Sequence, residues 1–180
     1  MSVKKPQQNK EIVLLRHAKS SWDDPLLDDF DRPLAKRGRK AAKQIGEWLK
    51  QRGIEPALVL CSASERTRET LELVLPALKA DPVIVYERRL YLADASDLLD
   101  RLHEIADDVP SVLMVGHNPG MQDLALALAP RRMRRERRRL AEKFPTAAVA
   151  WFRTGAKHWS DIKPNETELL AYIRPADLKD

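Results

Sequence analysis

The chain has 180 residues, 43% hydrophobic and 33% charged, enough for one globular α/β-sized domain with its own core. No apolar run approaches the ~20 residues of a membrane-spanning helix, so no membrane partner is expected. The single cysteine, Cys61, excludes an internal disulfide and fits a reducing cytoplasm. The net charge of +5 is local, because residues 131–139 hold seven arginines and one glutamate and leave the rest of the chain near neutral.

Residues 1–10 are polar, carry no apolar signal core, and read as a flexible tail of a cytoplasmic protein. Ile12–Leu15 is an apolar run that stops at Arg16-His17, the pattern of a buried strand. Pro33 opens a predicted helix to about Arg52, with Leu34, Ala41, Ala42, Ile45, Trp48 and Leu49 on one face and Gly53 ending it. Leu58–Cys61 is a second strand, with Cys61 in the core, and Glu65–Leu78 a second helix closed near Asp81-Pro82. Val83–Val85 is a short third strand, and Ser96 or Asp97 caps a helix to about Ala106. Val112–Val115 is a fourth strand, running through Gly116-His117-Asn118-Pro119-Gly120 into a helix over Met121–Ala129. Ala147–Arg153 and Glu168–Arg174 read as strands, with a turn at Thr154-Gly155 and a further strand at His158–Ile162. Strand and helix alternate through 130 residues before a β-rich end. The expected fold is therefore a single-domain α/β three-layer sandwich over residues 11–178. Its central sheet is mainly parallel, with helices on both faces and an antiparallel strand pair at one edge.

Four side chains fall just past strand ends or at the start of the next helix: Arg16, His17, Arg66 and His117. In an open α/β sheet such positions gather at one edge, where ligands bind. Two arginines and two histidines around one pocket suit a dianion. The guanidinium fork matches phosphate oxygens, one imidazole can attack phosphorus, and the other can hold the equatorial oxygens of the transition state. Either histidine alone would be read as structural; the four together carry the catalytic reading.

Four motifs follow in order: Arg16-His17-Ala18-Lys19-Ser20, Arg32-Pro33-Leu34-Ala35-Lys36-Arg37-Gly38, Cys61-Ser62-Ala63-Ser64-Glu65-Arg66-Thr67-Arg68-Glu69-Thr70 and Val115-Gly116-His117-Asn118-Pro119-Gly120. Together they resemble the histidine phosphatase (phosphoglycerate mutase-like) superfamily, and within it the small SixA-type phosphohistidine phosphatases. Lys143-Phe144-Pro145-Thr146-Ala147-Ala148 and Arg174-Pro175-Ala176-Asp177-Leu178 also look like the SixA branch. The resemblance implies that His17 is the nucleophile, phosphorylated on a ring nitrogen. It implies that Arg16, Arg66 and His117 hold the phosphate, that Ser20 or the loop backbone adds a hydrogen bond, and that neither metal nor cofactor is needed.

Two departures shape the substrate. The phytase-like branch follows its second histidine with an aspartate proton donor; here Asn118 stands there. The mutase-like branch has a glutamate where this chain has Leu92. An alkoxide leaving group needs a proton, worth ~10²–10⁴ in rate, whereas an imidazole leaves more readily. The expected substrate is therefore phosphohistidine on a signalling or phosphocarrier protein. Small phosphomonoesters or phosphoanhydrides are the alternative, and a non-catalytic phosphate-binding module is the second. Asp23, Asp31, Glu87 and Asp94 are the acids that could fold into the pocket and reverse this.

The remaining candidates take blander readings. His103 and His158 are structural or solvent-facing, Arg68, Arg88 and Arg89 are surface charges, and Trp48 and Trp151 belong to the core. Arg37 is a helix-surface charge or rims the pocket. Trp22 either walls the pocket or packs on the fold. The run Arg131–Arg139 is an insertion or helix that forms a solvated basic face or binds an acidic partner; nucleic acid is the less favoured partner.

Overall fold

The computed structural model describes residues 9–178. Six strands, β1 (Lys10–Arg16), β2 (Leu58–Ser62), β3 (Val83–Glu87), β4 (Ser111–Gly116), β5 (Val149–Thr154) and β6 (Glu168–Ile173), form one sheet in the order β3-β2-β4-β1-β5-β6. β3, β2, β4 and β1 are parallel, and β5 and β6 add an antiparallel pair beside β1. Five helices accompany them: α1 (Lys36–Gln51), α2 (Glu65–Val74), α3 (Ala95–His103), α4 (Gly120–Leu128) and α5 (Arg134–Glu142).

Successive strand residues point to opposite faces, so the apolar run of β1 supplies two cores at once. Val13 and Leu15 pack with Val59, Cys61, Leu113 and Val115 under α1 and α2, through Ile45, Leu49, Leu71 and Val74. Ile12 and Leu14 pack with Leu60, Val112 and Met114 under α3 and α4, through Leu98, Leu102, Leu124 and Leu128. The predicted three-layer α/β sandwich is the observed one, and Cys61 is fully buried.

Several boundaries move, each because tertiary partners override local pattern. Residues 1–8 of the expected tail lie outside the described residues, but the strand already starts at Lys10, which is buried and donates through Nζ to the Asp107 carbonyl at 2.8 Å. α1 starts at Lys36, not Pro33. The Leu34 N–H donates to Glu69 at 2.7 Å, the Ala35 N–H donates to the Lys19 carbonyl at 2.8 Å, and Leu34 bridges to Ser20. Those contacts hold Pro33–Ala35 extended, with Leu34 buried as expected. α2 tightens into a 3-10 turn over Leu75–Ala77, where Pro76 has no N–H to continue the helical ladder. The cap of α3 is Asp94, which accepts from the Asp97 N–H at 3.0 Å, rather than Ser96 or Asp97. β5 begins at Val149 because Ala147 adopts a left-handed φ of 61° and donates its N–H to the carbonyls of Arg16 and His17. The strand expected at His158–Ile162 is a 3-10 turn over Trp159–Asp161: the Trp159 indole is fully buried, its Nε1–H donating to the Val109 carbonyl at 2.9 Å.

The register that matters most pairs Arg16 of β1 with Gly116 of β4. The two histidines that follow, His17 and His117, leave the carboxyl edge of the sheet side by side. β2 flanks β4 on its other side, so the turn from Ser62 to Glu65 brings Arg66 to the same edge.

Candidate active site

A cavity of about 420 Å³ opens at this edge, lined by Arg16, His17, Lys19, Ser20, Trp22, Asp29, Arg32, Arg66, Leu92, His117, Asn118 and Thr146. A larger groove of about 570 Å³ runs between α1 and the C-terminal segment, with no histidine among its lining residues. All five residues proposed from the sequence, Ser20 included, therefore meet in one place.

His17 is held in a defined tautomer. Its Nδ1 lies 2.7 Å from the Ala18 carbonyl; a carbonyl only accepts, so Nδ1 carries the proton and Nε2 presents a lone pair. The Arg66 Nε–H points at that lone pair from 3.3 Å. Burial, together with the charges of Arg66, Arg16 and Arg32, pushes the pKa of His17 down to about 3 and keeps the ring neutral. The backbone around it is fixed by neighbours. The His17 N–H donates to the Gly116 carbonyl at 3.0 Å, and the Ala18 N–H to Thr70 Oγ1, also at 3.0 Å. Thr70 Oγ1 in turn donates to the Arg66 carbonyl at 2.6 Å, tying the loop after β1 to the helix that carries Arg66. Gly38 lets α1 approach the same loop; a Cβ there would lie 2.1 Å from the Lys19 carbonyl oxygen.

His117 stands 5.2 Å away, ring centroid to ring centroid. Arg66 Nη2 lies 3.4 Å from its Nδ1, and Ser62 Oγ lies 2.8 Å from its Nε2. The guanidinium only donates, so Nδ1 accepts and Nε2–H is given to Ser62. Burial, with His17 and Arg66, lowers its pKa to about 3 as well. Without an anion, then, His117 offers the cavity an acceptor. It becomes a donor to phosphate only by taking a proton, which a dianion in the site would favour.

Arg16 donates from Nη1 to the Phe144 carbonyl at 2.9 Å, while its buried Nε–H has no acceptor among the described residues and is available to an anion. Arg66 is buried, and Nη1 and Nη2 bind the backbone and side-chain oxygens of Asp29 at 2.5 and 3.0 Å.

Sequence reasoning missed Asp29, Arg32 and Tyr91. Arg32 Nη1 donates to Ser20 Oγ at 2.8 Å, and its Nε to Asp29 Oδ1 at 3.1 Å. Its guanidinium stacks 3.5 Å from the Trp22 ring, so Trp22 walls the cavity with one face covered and remains 70% exposed. Ser20 meets Arg32 directly, and any phosphate contact it makes shares that oxygen. Asp29 also accepts from the Tyr91 hydroxyl. Partial burial opposes its ionisation, but the hydrogen bonds from Tyr91 and Arg66 prevail and hold the carboxyl down to about 2. The signal for Arg32 was its place at the head of a motif already singled out; Asp29 carried none, being one of three acids in residues 28–31.

None of the four acids considered from the sequence lines the cavity. Glu87 pairs with Arg89 and Arg101, Asp94 caps α3, Asp23 sits in a separate surface depression, and Asp31 lies exposed beside the 3-10 turn at Asp29. Leu92 and Asn118 do line it, and neither side chain has a proton to give. His103 donates from Nε2 to the Ile162 carbonyl, 2.8 Å away, and His158 pairs with Asp107; neither reaches the cavity. Arg68, Arg88 and Arg89 contact Tyr86, Phe30 and Glu104, and Arg37 is exposed on α1 away from the cavity. Trp48 is buried, and Trp151 is half-buried against the same core.

An α/β sheet whose carboxyl edge gathers two imidazoles and three guanidinium groups around one cavity defines a class of phosphate-handling domain. Residues 12–91 match the histidine phosphatase superfamily (branch 1). Over 163 residues the chain is 36% identical to an uncharacterized protein of Mycobacterium tuberculosis, covering 89% of this chain and 99% of that one. Two structures provisionally assigned as the phosphohistidine phosphatase SixA superpose closely. The one from Agrobacterium tumefaciens has a TM-score of 0.79 and 29% identity, over 92% of this chain and 98% of its own. The one from Nakamurella multipartitia has a TM-score of 0.78 and 28% identity, over 95% and 99%. The chain belongs to the histidine phosphatase superfamily and is of the SixA type.

Proposed function

We propose that the protein is a metal-independent phosphatase that works through a phosphohistidine on His17 and removes phosphate from phosphohistidine on a protein. The observation that carries this reading is the neutral His17 ring, with its Nε2 lone pair facing the cavity among Arg16, Arg32 and Arg66. His17 Nε2 attacks phosphorus in line as the P–N bond to the substrate imidazole breaks, and the leaving ring takes its proton from solvent. Arg16 and Arg66 hold the equatorial oxygens, and His117 joins them once protonated. Water then attacks the phosphoryl group on His17, forming a P–O bond, releasing inorganic phosphate and returning Nε2 to its lone pair.

The proton economy favours nitrogen as the leaving atom. Leu92 and Asn118 supply no acid, and Asp29 is held ionised. A second reading, hydrolysis of small phosphate esters, draws support from Asp29 itself. A dianion that displaced it from Arg66 would raise its pKa and leave a protonatable carboxyl in the pocket. A panel of histidine-phosphorylated protein, phosphoimidazole and phosphate esters at equal concentration tests the choice. The first reading expects a kcat/KM at least ~10²-fold higher on the N–P substrates. Equal or greater turnover of esters, lost in Asp29→Asn, would establish the second.

A further inference from the structure

Of the arginine-rich segment, residues 134–139 lie in α5, with Arg131 and Arg132 in the turn before it, and the arginines divide into two groups. Arg137 donates from Nη1 to the carbonyls of Leu126 and Ala129, both at 2.5 Å, closing the end of α4. Arg139 pairs with Asp177 at 3.2 Å and lies over the Tyr172 ring. With buried Leu140, these two fix the inner side of the helix. Arg131, Arg132, Arg134, Arg135 and Arg138 are exposed and make no hydrogen bond or ion pair with any described residue. Like charges at such spacing weaken a helix, so the anchored inner side holds in place a row of guanidinium groups that repel one another.

That row leads to the active site. Gln122, in the first turn of α4, donates to the carbonyls of Leu140 and Ala141 at 2.7 and 3.2 Å. Two residues beyond α5, the Phe144 carbonyl accepts from both Arg16 Nη1 and Asn118 Nδ2 at 2.9 Å. The carboxyl end of α5 is thus bolted to the wall of the cavity. At 1.5 Å per residue, Arg138 and Arg134 lie about 6 and 12 Å back along the axis from Glu142.

We infer that the exposed arginines of α5 are a docking surface for an acidic polypeptide that carries the phosphorylated histidine, an inference that rests on the phosphohistidine reading above. Guanidinium forks match carboxylates. The exposed large apolar side chains lie elsewhere, at Trp22, Leu26, Leu27, Val83, Ile84, Tyr86 and Leu92, so α5 offers no aromatic platform of the kind that single-stranded nucleic acid uses. An extended chain covers about 3.3 Å per residue. Acidic residues roughly four to eight places from a phosphohistidine seated in the cavity therefore reach the row.

Two histidine-phosphorylated peptides, identical except for Glu or Gln at those places, test the inference alongside phosphoimidazole. At low ionic strength the wild type is expected to turn over the Glu peptide with a kcat/KM about tenfold higher, the difference fading with added salt. Arg134→Gln/Arg135→Gln/Arg138→Gln is expected to treat both peptides alike and to keep the wild-type rate on phosphoimidazole. Where the wild type hydrolyses both peptides, equal rates on the two, a preference that survives in the triple variant, or a matching loss on phosphoimidazole would each overturn docking. Binding of the unphosphorylated peptides to the full chain separates this from the catalytic reading. Glu-selective binding lost in the triple variant supports docking even if neither phosphopeptide is hydrolysed, and displacement of the Glu peptide by an RNA oligonucleotide of equal charge at lower concentration overturns it.

Discussion

Arg66 aims its Nε–H at the Nε2 lone pair of His17, 3.3 Å away, while the same guanidinium reaches His117 Nδ1 and both kinds of oxygen on Asp29. One buried side chain thus touches both imidazoles and the only carboxylate that lines the cavity among the described residues. A phosphate bound to Arg66 would compete for these N–H groups and leave the His17 lone pair open to the cavity.

The shape of the guanidinium therefore matters as well as its charge. Arg66→Ala is expected to lower kcat/KM by ~10²–10³, and Arg66→Lys to recover little of it, because an ammonium cannot span two oxygens and an imidazole. Steady-state kinetics on phosphoimidazole check this; a lysine variant within threefold of wild type would contradict it.

Asp29 occupies the N–H groups of Arg66 that an anion would use. Asp29→Asn removes a negative charge from the cavity, and inorganic phosphate should then inhibit more strongly, its inhibition constant falling about tenfold. Product inhibition measured at neutral pH reads this directly, and an unchanged constant would show that Asp29 does not compete for the site.

Both histidines are buried neutral with pKa values near 3, against 6.5 for a free ring. Between these values the unfolded chain binds more protons than the folded one, so stability falls as pH drops from about 6.5 towards 3. Each ring contributes at most about 1.4 kcal/mol per pH unit. Asp29, held at about 2 against 3.8, adds to the loss only at the acid end. Thermal melts from pH 7 to 4 should show the decline, and His17→Gln should flatten it; a flat wild-type profile would contradict the burial argument.

Thr70 is expected to act as a positioning residue. It accepts from the Ala18 N–H and donates to the Arg66 carbonyl, and it is fully buried. Thr70→Val keeps the shape but orphans the Ala18 N–H, at a cost of about 1–3 kcal/mol. The expected result is a fall in kcat with little change in KM, restored by Thr70→Ser. A general loss of stability with unaltered kcat in the folded fraction would reduce Thr70 to a core residue.

How far the site was legible follows from where its parts sit. Arg16-His17 and Gly116-His117 were visible because four-residue apolar runs end abruptly in them, and a buried strand must do so at the sheet edge. Their adjacency came from register, Arg16 beside Gly116, which no local pattern encodes. Arg32 and Asp29 belong to a loop without periodicity. Only folding shows that Asp29, rather than Asp28 or Asp31, turns towards Arg66. The segment His158–Ile162 misled for a related reason: it looks like a short strand after the Thr154-Gly155 turn, but the Trp159 indole is fully buried and donates to the Val109 carbonyl, two residues before β4. The arginine run was legible as charge and not as structure, since its division into anchoring and free side chains depends on α4.

The central claim is that the phosphoryl group passes through His17. Rapid quenching of the enzyme at alkaline pH during turnover of phosphoimidazole, followed by peptide mapping, measures it most directly. The account predicts an acid-labile phosphate on the peptide containing His17, absent in His17→Ala, which should also lose at least ~10³ of the rate. Undiminished hydrolysis by His17→Ala, or a labelled intermediate on any other residue, would contradict it.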